Sequence, residues 1–514
     1  MTTVPTESLS RRVLLGGTAA GLLAGAAAGA AAGPAAAAPA GRQGDLPRRV
    51  DVLVVGAGIS GMVAARRARA AGLDVLVCEA RDRVGGRVLN HALRSRAGAG
   101  EVVEAGGAFV GPTQDRILAL ARELRVATFD QHVEGLSVYR SARLGRVEYA
   151  GTIPPDPVLL PGAAVVLAQV DVYAGQIDVA APWDHPRAAE WDATTLGAFV
   201  ERNGGVDGPG LVRLLASWTQ PTFGSDPHDL SLLFALWYVA TAGNEDNPGT
   251  FSRSSDTSGG AQERRFVGGS GLVPLRLARD LGDDVALAAP VRRVDQAGDR
   301  VRVRTDRGVV EARRVVVAVP PPTALEIDWA PGLPARRRRL LRSGAMGDLM
   351  KVDAVYRRPF WRDAGLNGFG ISDAGAGRVV FDNSPPDGSP GVLLAFLGGS
   401  TWRRYGRLPR AERRRAVLAG FAGLFGDEAL RPVEYTEQDW TRERWTGGGP
   451  TAVHAADGSF STFGPAVRRR FGRVHWAGTE TATYWSGYMD GAVRAGERAA
   501  DEVVTALGRR AGAR

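Results

Sequence analysis

The chain contains very little cysteine and lysine for its 514 residues. A single cysteine, Cys78, excludes any intrachain disulfide, and we expect it to be a small core residue. The six histidines show no H-x-x-H or similar ligand spacing, so the sequence predicts no metal site. Lysine and arginine together number 64, of which only Lys351 is lysine, so 63 are arginines. Arginine therefore occupies every other cationic position.

The formal net charge is +9, and an excess of positive charge is one feature of nucleic-acid-binding proteins. Its densest cluster, Arg336 to Arg339, follows Pro334 at the start of a helical pattern, and we expect it to face solvent. No interleaved aromatic residues or known nucleic-acid module accompany the charge. The sequence therefore predicts no nucleic-acid partner.

Residues 1–40 have the composition of an export segment. Arg11 and Arg12 precede an Ala/Gly/Leu stretch that ends in Ala38-Pro39-Ala40, which is typical of a twin-arginine signal peptide with an A-x-A cleavage site. We therefore expect recognition by the twin-arginine (Tat) translocon and secretion; the alternative is a disordered Ala-rich tail. The stretch is too rich in Ala and Gly to predict a stable membrane anchor. Residues 506–514 form a short polar tail.

A dinucleotide-binding pattern begins at residue 51, where an apolar strand leads into Gly56-x-Gly58-x-Ser60-Gly61 and a helix. The first glycine permits the tight turn, the second lets backbone approach a pyrophosphate, and the third permits close helix–strand packing. Glu79 ends the second strand, Asp74 to Cys78, where an acid accepts hydrogen bonds from both ribose hydroxyls and repels a 2′-phosphate. This favours FAD or NAD over NADP.

Several long motifs accompany that pattern and resemble the FAD-dependent flavin monoamine oxidase family. They are the run Arg81 to Arg87, the segments 104–114 and 262–271, and above all the segment 473–498. Their order matches the family as well, so the resemblance covers about residues 48–505.

The resemblance implies an α/β fold in which a discontinuous Rossmann-like FAD-binding domain is interleaved with an α+β substrate-binding domain. The implied FAD-domain segments are residues 48–130, 261–325 and 441–505, and the substrate-domain segments are 131–260 and 326–440. Residues 131–260 read as helical and loop-like, whereas the alternating Val-x-Val pattern of residues 285–319 predicts a β-meander that returns to the FAD domain.

The same resemblance implies further FAD contacts outside the glycine turn. These residues are Ala80, Arg81, Gly86, Arg87, Gly106, Gly107, Ala108, Val291, Gly478, Thr479, Glu480 and Met489.

The implied catalytic residues are Lys351, Tyr488, Gln262 and Trp440, and Phe109 and Phe396 match positions that line the substrate site. In the family, the lysine holds a water against flavin N5. The tyrosine forms one wall of an aromatic cage. Arginine cannot replace a compact ammonium at such a point.

One segment departs from the family pattern. Gly449-Pro450 stands where mitochondrial members carry Cys-Tyr. Without that cysteine no thioether to the flavin is expected, so FAD should be noncovalent. Pro450 in place of the tyrosine opens the cage on one side and leaves room for a bulkier or secondary amine.

These observations predict a secreted amine oxidase. Oxygen is the expected electron acceptor, because only one G-x-G-x-x-G occurs and no second nucleotide site for NADPH is present. The expected reaction converts a small-molecule amine to an imine and then an aldehyde, with release of H2O2. Two other functions stay open: an L-amino-acid oxidase of the same superfamily, and a biosynthetic FAD protein without net oxidase activity. A homodimer is also left open.

Overall fold

The computed structural model describes residue 42 and residues 44–508. The predicted signal peptide, residues 1–40, lies outside the described residues, as does most of the predicted polar tail. No described helix is long and apolar enough to cross a membrane.

The described chain forms 21 strands. In chain order they are β1 Arg49–Val55, β2 Val75–Cys78, β3 Asn90–Ala92, β4 Val102–Glu104, β5 Thr128–Asp130, β6 Leu136–Ser141, β7 Gly145–Tyr149, β8 Arg264–Phe266, β9 Val285–Ala286, β10 Val291–Asp295, β11 Val301–Thr305, β12 Gly308–Val317, β13 Asp328–Ala330, β14 Gly344–Met346, β15 Leu349–Tyr356, β16 Leu366–Ser372, β17 Val379–Asp382, β18 Gly391–Gly398, β19 Glu434–Asp439, β20 Ala452–His454 and β21 Val474–Trp476.

The α-helices in the same residues number 16. They are α1 Ile59–Ala70, α2 Asp115–Glu123, α3 Leu160–Ala174, α4 Ala188–Asp192, α5 Leu196–Asn203, α6 Gly208–Phe223, α7 Leu232–Thr241, α8 Phe251–Ser255, α9 Leu272–Leu281, α10 Pro321–Ala324, α11 Ala335–Ser343, α12 Phe360–Asp363, α13 Gly399–Tyr405, α14 Arg410–Phe425, α15 Ser459–Phe463 and α16 Met489–Ala506.

The larger sheet gathers strands from distant parts of the chain. Its order is β13-β10-β11-β12-β1-β2-β9, with β21 pairing beside β12. β1 is parallel to β2 and to β12, whose apolar residues are buried on both faces, as expected where helices cover a parallel sheet. The predicted β-meander is confirmed, because β10, β11 and β12 pair antiparallel in sequence. The predicted return is confirmed by the β12–β1 pairing.

A second sheet of seven strands has the order β19-β15-β18-β17-β16-β6-β7. Its strands β6 and β7 correct the prediction that residues 131–260 are helical and loop-like. They are a short hairpin whose alternation is too brief to stand out from the loops around it. The rest of that segment consists of helices and loops, as predicted, and all ten residues of α7 are buried. The mixed α/β fold with a discontinuous dinucleotide domain is confirmed.

The arginine cluster on α11 is only partly solvated, which corrects the prediction that Arg336 to Arg339 face solvent. Arg336, Arg338 and Arg339 are exposed, but Arg337 is 4% exposed. Its guanidinium lies 4.1 Å from the centre of the Trp476 ring and donates to the carbonyl oxygens of Val467 and Arg469. The helical period places one arginine of the run on the inner face.

Candidate active site

Residues from both sheets and from the helical segment line one cavity of about 480 Å³. It brings together nearly all the residues predicted from the sequence. These are Gly56, Gly58, Ser60, Glu79, Ala80, Arg81, Gly86, Arg87, Gly106, Gly107, Ala108, Phe109, Gln262, Val291, Lys351, Phe396, Trp440, Pro450, Gly478, Thr479, Tyr488 and Met489.

Two predicted residues do not line the cavity and act through their neighbours. A Cβ at Gly61 would overlap the Gly56 carbonyl oxygen, so this glycine permits the turn itself. The Glu480 side chain, 11% exposed, binds the Arg87 guanidinium, with Oε2 3.1 Å from Nη2. Glu480 therefore orients an arginine that does line the cavity.

The glycine turn fits the pyrophosphate of a dinucleotide. Gly56 has φ +101°, which favours glycine, and a Cβ at Gly58 would meet no protein atom within 4 Å. No side chain caps the N-terminus of α1, and its first turn carries no acid. The backbone N–H groups and the positive end of the helix dipole are therefore available to an anion.

The second strand ends at a buried acid, as predicted. Glu79 accepts N–H hydrogen bonds from Ala57 at 2.7 Å and Arg81 at 3.0 Å, one on each carboxylate oxygen. These bonds fix the carboxylate beside the glycine turn, and each oxygen keeps a lone pair for a ribose hydroxyl. On the other side of the turn, the Gly478 N–H donates to Ser60 Oγ at 2.9 Å.

Two partly buried arginines, Arg81 and Arg83, follow Glu79 on the dinucleotide side of the cavity. Burial lowers the pKa of Arg81, and burial together with the neighbouring Arg81 charge lowers the pKa of Arg83 to about 10. Arg81 already pairs with Glu79 and Glu443, and Arg83 does not line the cavity. The glycine turn, the open N-terminus of α1 and the Glu79 carboxylate are the groups that fit FAD, which when bound supplies the two-electron oxidation of the substrate.

The cavity has a dinucleotide half, lined by the glycine turn and Glu79, and a substrate half, lined by Tyr488 and Phe381. Lys351 lies where these two halves meet. Its ammonium nitrogen donates to the Gly106 carbonyl oxygen at 3.1 Å, and its side chain is almost completely buried. The Phe396 ring centre is 5.8 Å away. Burial lowers the pKa of Lys351, whereas the carboxylates of Asp353 and Glu104 raise it. A buried ammonium group at this junction can donate a hydrogen bond to a water or give up its proton there.

Tyr488 precedes α16 and presents an aromatic wall to the same cavity. Its ring stands 5.6 Å from Tyr238 and 4.8 Å from Trp485, and its hydroxyl donates to the Ser254 carbonyl oxygen at 3.3 Å. Burial raises the pKa of Tyr488 to about 12, so its phenol is neutral at physiological pH. Tyr238 is therefore the tyrosine whose ring packs against Tyr488 in this cavity.

Gln262 and Trp440 use their polar atoms to hold the walls in place. The Gln262 amide, oriented with its nitrogen toward the loop, donates to the carbonyl oxygens of Ser255 and Asp256 at 2.9 and 3.1 Å. Trp440 Nε1 donates to the Ala105 carbonyl oxygen at 2.8 Å. Trp440 thus ties the seven-stranded sheet to the loop that carries Gly106.

A row of phenylalanines forms the wall opposite the helical segment. Phe381 lies at the centre of the row, with ring centres 5.5 Å from Phe109, 5.2 Å from Phe369 and 6.3 Å from Phe396. Sequence reasoning found the outer two residues by resemblance but missed Phe381 and Phe369. Phe369 lies in β16, whose burial alternates over its first four residues, whereas β17 has no alternation that could have marked Phe381.

The charges around the cavity are unequally distributed. Among the described residues that line it, the dinucleotide half contributes Glu79, Arg81, Arg87, Arg292 and Glu326. The remaining charged side chains are Lys351 and Asp256, and Asp256 was not predicted. Thr152 and Ser255 donate to Asp256 Oδ1, each at 3.3 Å, and burial raises its pKa. No arginine within residues 44–508 lines the substrate half.

The chain offers no cysteine for a flavin thioether. Gly449 lines the cavity at the position that the family pattern gives to a cysteine, and Cys78 borders the dinucleotide half from β2 with its thiol buried. Burial raises the pKa of Cys78 to about 12, which keeps the thiol neutral and unreactive. FAD is therefore held without a covalent bond. No three potential metal-ligating side chains meet within the described residues.

Comparisons with known proteins agree with this geometry. The model of the flavin-containing amine oxidoreductase family matches residues 59–504. A Mycobacterium tuberculosis protein named "Putative flavin-containing monoamine oxidase AofH" is 41% identical over 469 residues, covering 90% of this chain and 98% of the relative. Amine oxidase [flavin-containing] B of Sus scrofa is 37% identical over 468 residues, covering 90% and 87%.

Solved structures of the same kind superpose over nearly the whole length. A putrescine oxidase bound to putrescine has a TM-score of 0.83 and 34% identity, covering 89% of this chain and 99% of that one. Cyclohexylamine oxidase from Brevibacterium oxydans IH-35A has a TM-score of 0.83 and 31% identity, covering 90% and 100%. The chain belongs to the flavin-containing amine oxidoreductase family and is an amine-acting oxidoreductase with FAD as its cofactor.

Proposed function

We propose that the protein is a secreted amine oxidase that converts an amine to an imine and reduces O2 to H2O2. The amine loses two electrons and two protons, one from the α-carbon and one from nitrogen, and O2 takes up both pairs as H2O2. Water then adds to the imine and releases an aldehyde and the amine nitrogen. The single observation that carries the oxidase assignment is Lys351, buried at the junction between the dinucleotide half and the aromatic walls.

Amines fit the substrate half better than amino acids do. An amino-acid substrate needs a cation for its carboxylate, but no arginine among the described residues lines this half, and its only acid is Asp256. That carboxylate repels an anionic substrate and attracts a cationic one. The apolar walls around Tyr488 and Phe381 favour the neutral form of the reacting nitrogen, which is the form that gives up electrons.

Oxygen is the proposed electron acceptor on the ground that the sequence contains one G-x-G-x-x-G, at Gly56 to Gly61. A nicotinamide acceptor would need a second dinucleotide site. The assignment is further supported by the position of Lys351, since a buried proton donor can serve the protonation of reduced oxygen.

Secretion is proposed from Arg11, Arg12 and the Ala38-Pro39-Ala40 sequence. The twin-arginine pathway exports folded proteins, so an enzyme that must acquire FAD before export is suited to it. The Tat translocon is accordingly the proposed partner during export.

A peroxide-coupled screen of the purified holoenzyme against amines and L-amino acids tests the reaction. We expect peroxide from amines and none from amino acids. Peroxide from amino acids would instead support the amino-acid oxidase alternative. Failure of both panels to reduce the flavin or release peroxide would support the non-oxidase alternative.

A further inference from the structure

Lys351 shares its strand face with a buried acid. Asp353 follows it by two residues on β15, and side chains two apart on a strand point to the same face. Every residue of β15 is buried, and Lys351 and Asp353 are each 2% exposed. A lysine and an aspartate are thus held one pleat apart, away from water, on the strand that reaches the cavity.

The other charges in this region are already matched. Glu104 on β4 and Arg265 on β8 form an ion pair at 3.1 Å, exposed by 1% and 4% of their side chains. Asp382, at the end of β17, binds Arg362 at 2.8 Å. Each of these acids therefore has an arginine as its counter-ion.

The direct hydrogen-bond partners of Lys351 and Asp353 are neutral. Lys351 donates to a carbonyl oxygen, that of Gly106, and Asp353 Oδ1 accepts from the Asn383 amide nitrogen at 3.0 Å. His91 on β3 also faces Lys351, but burial lowers its pKa and keeps it uncharged near neutral pH. Charge balance in a buried region then leaves Asp353 as the counter-ion of Lys351.

We propose that Asp353 is a positioning residue that keeps the buried Lys351 in its ammonium form at the flavin side of the cavity. Without the Asp353 charge, burial and Arg265 lower the pKa of Lys351 against Glu104 alone, and Glu104 is already paired with Arg265, so the neutral amine gains weight. A neutral Lys351 has lost the proton that the proposed oxygen chemistry draws on. This role deepens the proposed function, on which its catalytic meaning rests.

The pair also has a defined dependence on pH. Burial raises the pKa of Asp353 to about 6, against the opposing effect of Lys351. As the pH falls through that value, Asp353 takes up a proton and Lys351 loses its counter-ion. Above it, both groups are charged until the lysine titrates.

The single lysine makes the inference directly measurable. Holoenzyme grown with ¹³Cε-labelled lysine has one labelled side chain, so one NMR signal reports the protonation of Lys351. We expect Asp353→Asn to lower the midpoint of the Lys351 titration by at least about one pH unit, the scale for losing a nearby opposite charge. The wild-type signal should also show a smaller step near pH 6 that Asp353→Asn abolishes.

Asp192→Asn is the matched control. Asp192 is fully buried and accepts hydrogen bonds from Ser231 Oγ and the Ser461 N–H, both at 2.7 Å, in the helical segment. Its loss should cost stability while leaving the Lys351 titration in place. Asp353→Glu keeps the carboxylate charge, so its Lys351 titration midpoint should lie between those of Asp353→Asn and wild type.

An equal Lys351 midpoint in wild type and folded Asp353→Asn would overturn the proposal. If Asp353→Asn does not fold, the wild-type titration tests the proposal by itself. A wild-type curve without the step near pH 6 overturns it. The measurement needs no substrate. Absence of peroxide with every amine would therefore count against the proposed function, while the Lys351 titration would still decide the role of Asp353.

Discussion

Replacing Gly58 by alanine separates cofactor binding from the protein's own packing. Gly58 has φ −73° and ψ 170°, which alanine adopts without strain, and its new Cβ would meet no protein atom within 4 Å. We therefore expect the apoprotein to be as stable as wild type, or more stable by about 0.4–1 kcal/mol through the unfolded state. The same methyl group stands where backbone must approach the pyrophosphate. Overpacking of this kind costs about 1–3 kcal/mol, or roughly a 5- to 150-fold loss of FAD affinity.

Gly61→Ala is the matched variant one helical turn later. Its Cβ would overlap the Gly56 carbonyl oxygen, a backbone atom that cannot move aside cheaply. We expect this variant to lose about 1–3 kcal/mol of apoprotein stability as well as FAD binding.

The two variants are compared by thermal unfolding of apoprotein and by FAD titration followed through flavin fluorescence. Gly58→Ala should unfold like wild type and bind FAD weakly, whereas Gly61→Ala should be impaired in both. A Gly58→Ala apoprotein that unfolds as early as Gly61→Ala, or that binds FAD with wild-type affinity, would refute the assignment of this turn to the pyrophosphate.

Three further residue-specific predictions and one for the export signal follow from the site. Lys351→Met should retain FAD and slow turnover about 10²- to 10⁴-fold, with the oxygen step in rapid-mixing kinetics affected more than the amine step; equal slowing of both would contradict the proposed role. Acid precipitation should release all the flavin as FAD, because Gly449 supplies no thiol; flavin that stays with the polypeptide would show a covalent link. Asp256→Asn should reduce kcat/KM for linear diamines relative to monoamines of equal chain length, by about 10-fold or more for the loss of one charge-assisted contact, and an unchanged ratio would remove Asp256 from substrate selection. Replacing Arg11 and Arg12 by lysines should sharply reduce export measured by cell fractionation, and an unchanged rate would contradict twin-arginine targeting.

Local motifs made the dinucleotide half predictable. The glycine spacing and Glu79 act through backbone geometry within about thirty residues, so their consequences can be worked out before any tertiary contact is known. The Val-x-Val alternation of residues 285–319 likewise determined the β10-β11-β12 meander.

The substrate half could not be predicted in the same way, because its residues meet only through tertiary packing. Tyr238 lies in α7, a helix that is apolar on all sides, where nothing distinguishes a cavity-lining ring from a core ring. Asp256 sits in a Ser/Asp/Thr/Gly loop whose composition is typical of solvated turns. Arg337 is one of four consecutive arginines, and only the packing of α11 on Trp476 selects it for burial.

The near absence of lysine affects how the protein tolerates the reagents it is proposed to make. Aldehydes condense with primary amines to form Schiff bases, whereas hydrogen peroxide oxidises thiolates. The only lysine side chain is buried beside Gly106, and the only thiol is buried and un-ionised in β2. An arginine-covered surface thus offers an aldehyde no lysine amine to modify or cross-link. Under the proposed function, this composition protects the enzyme from its own products.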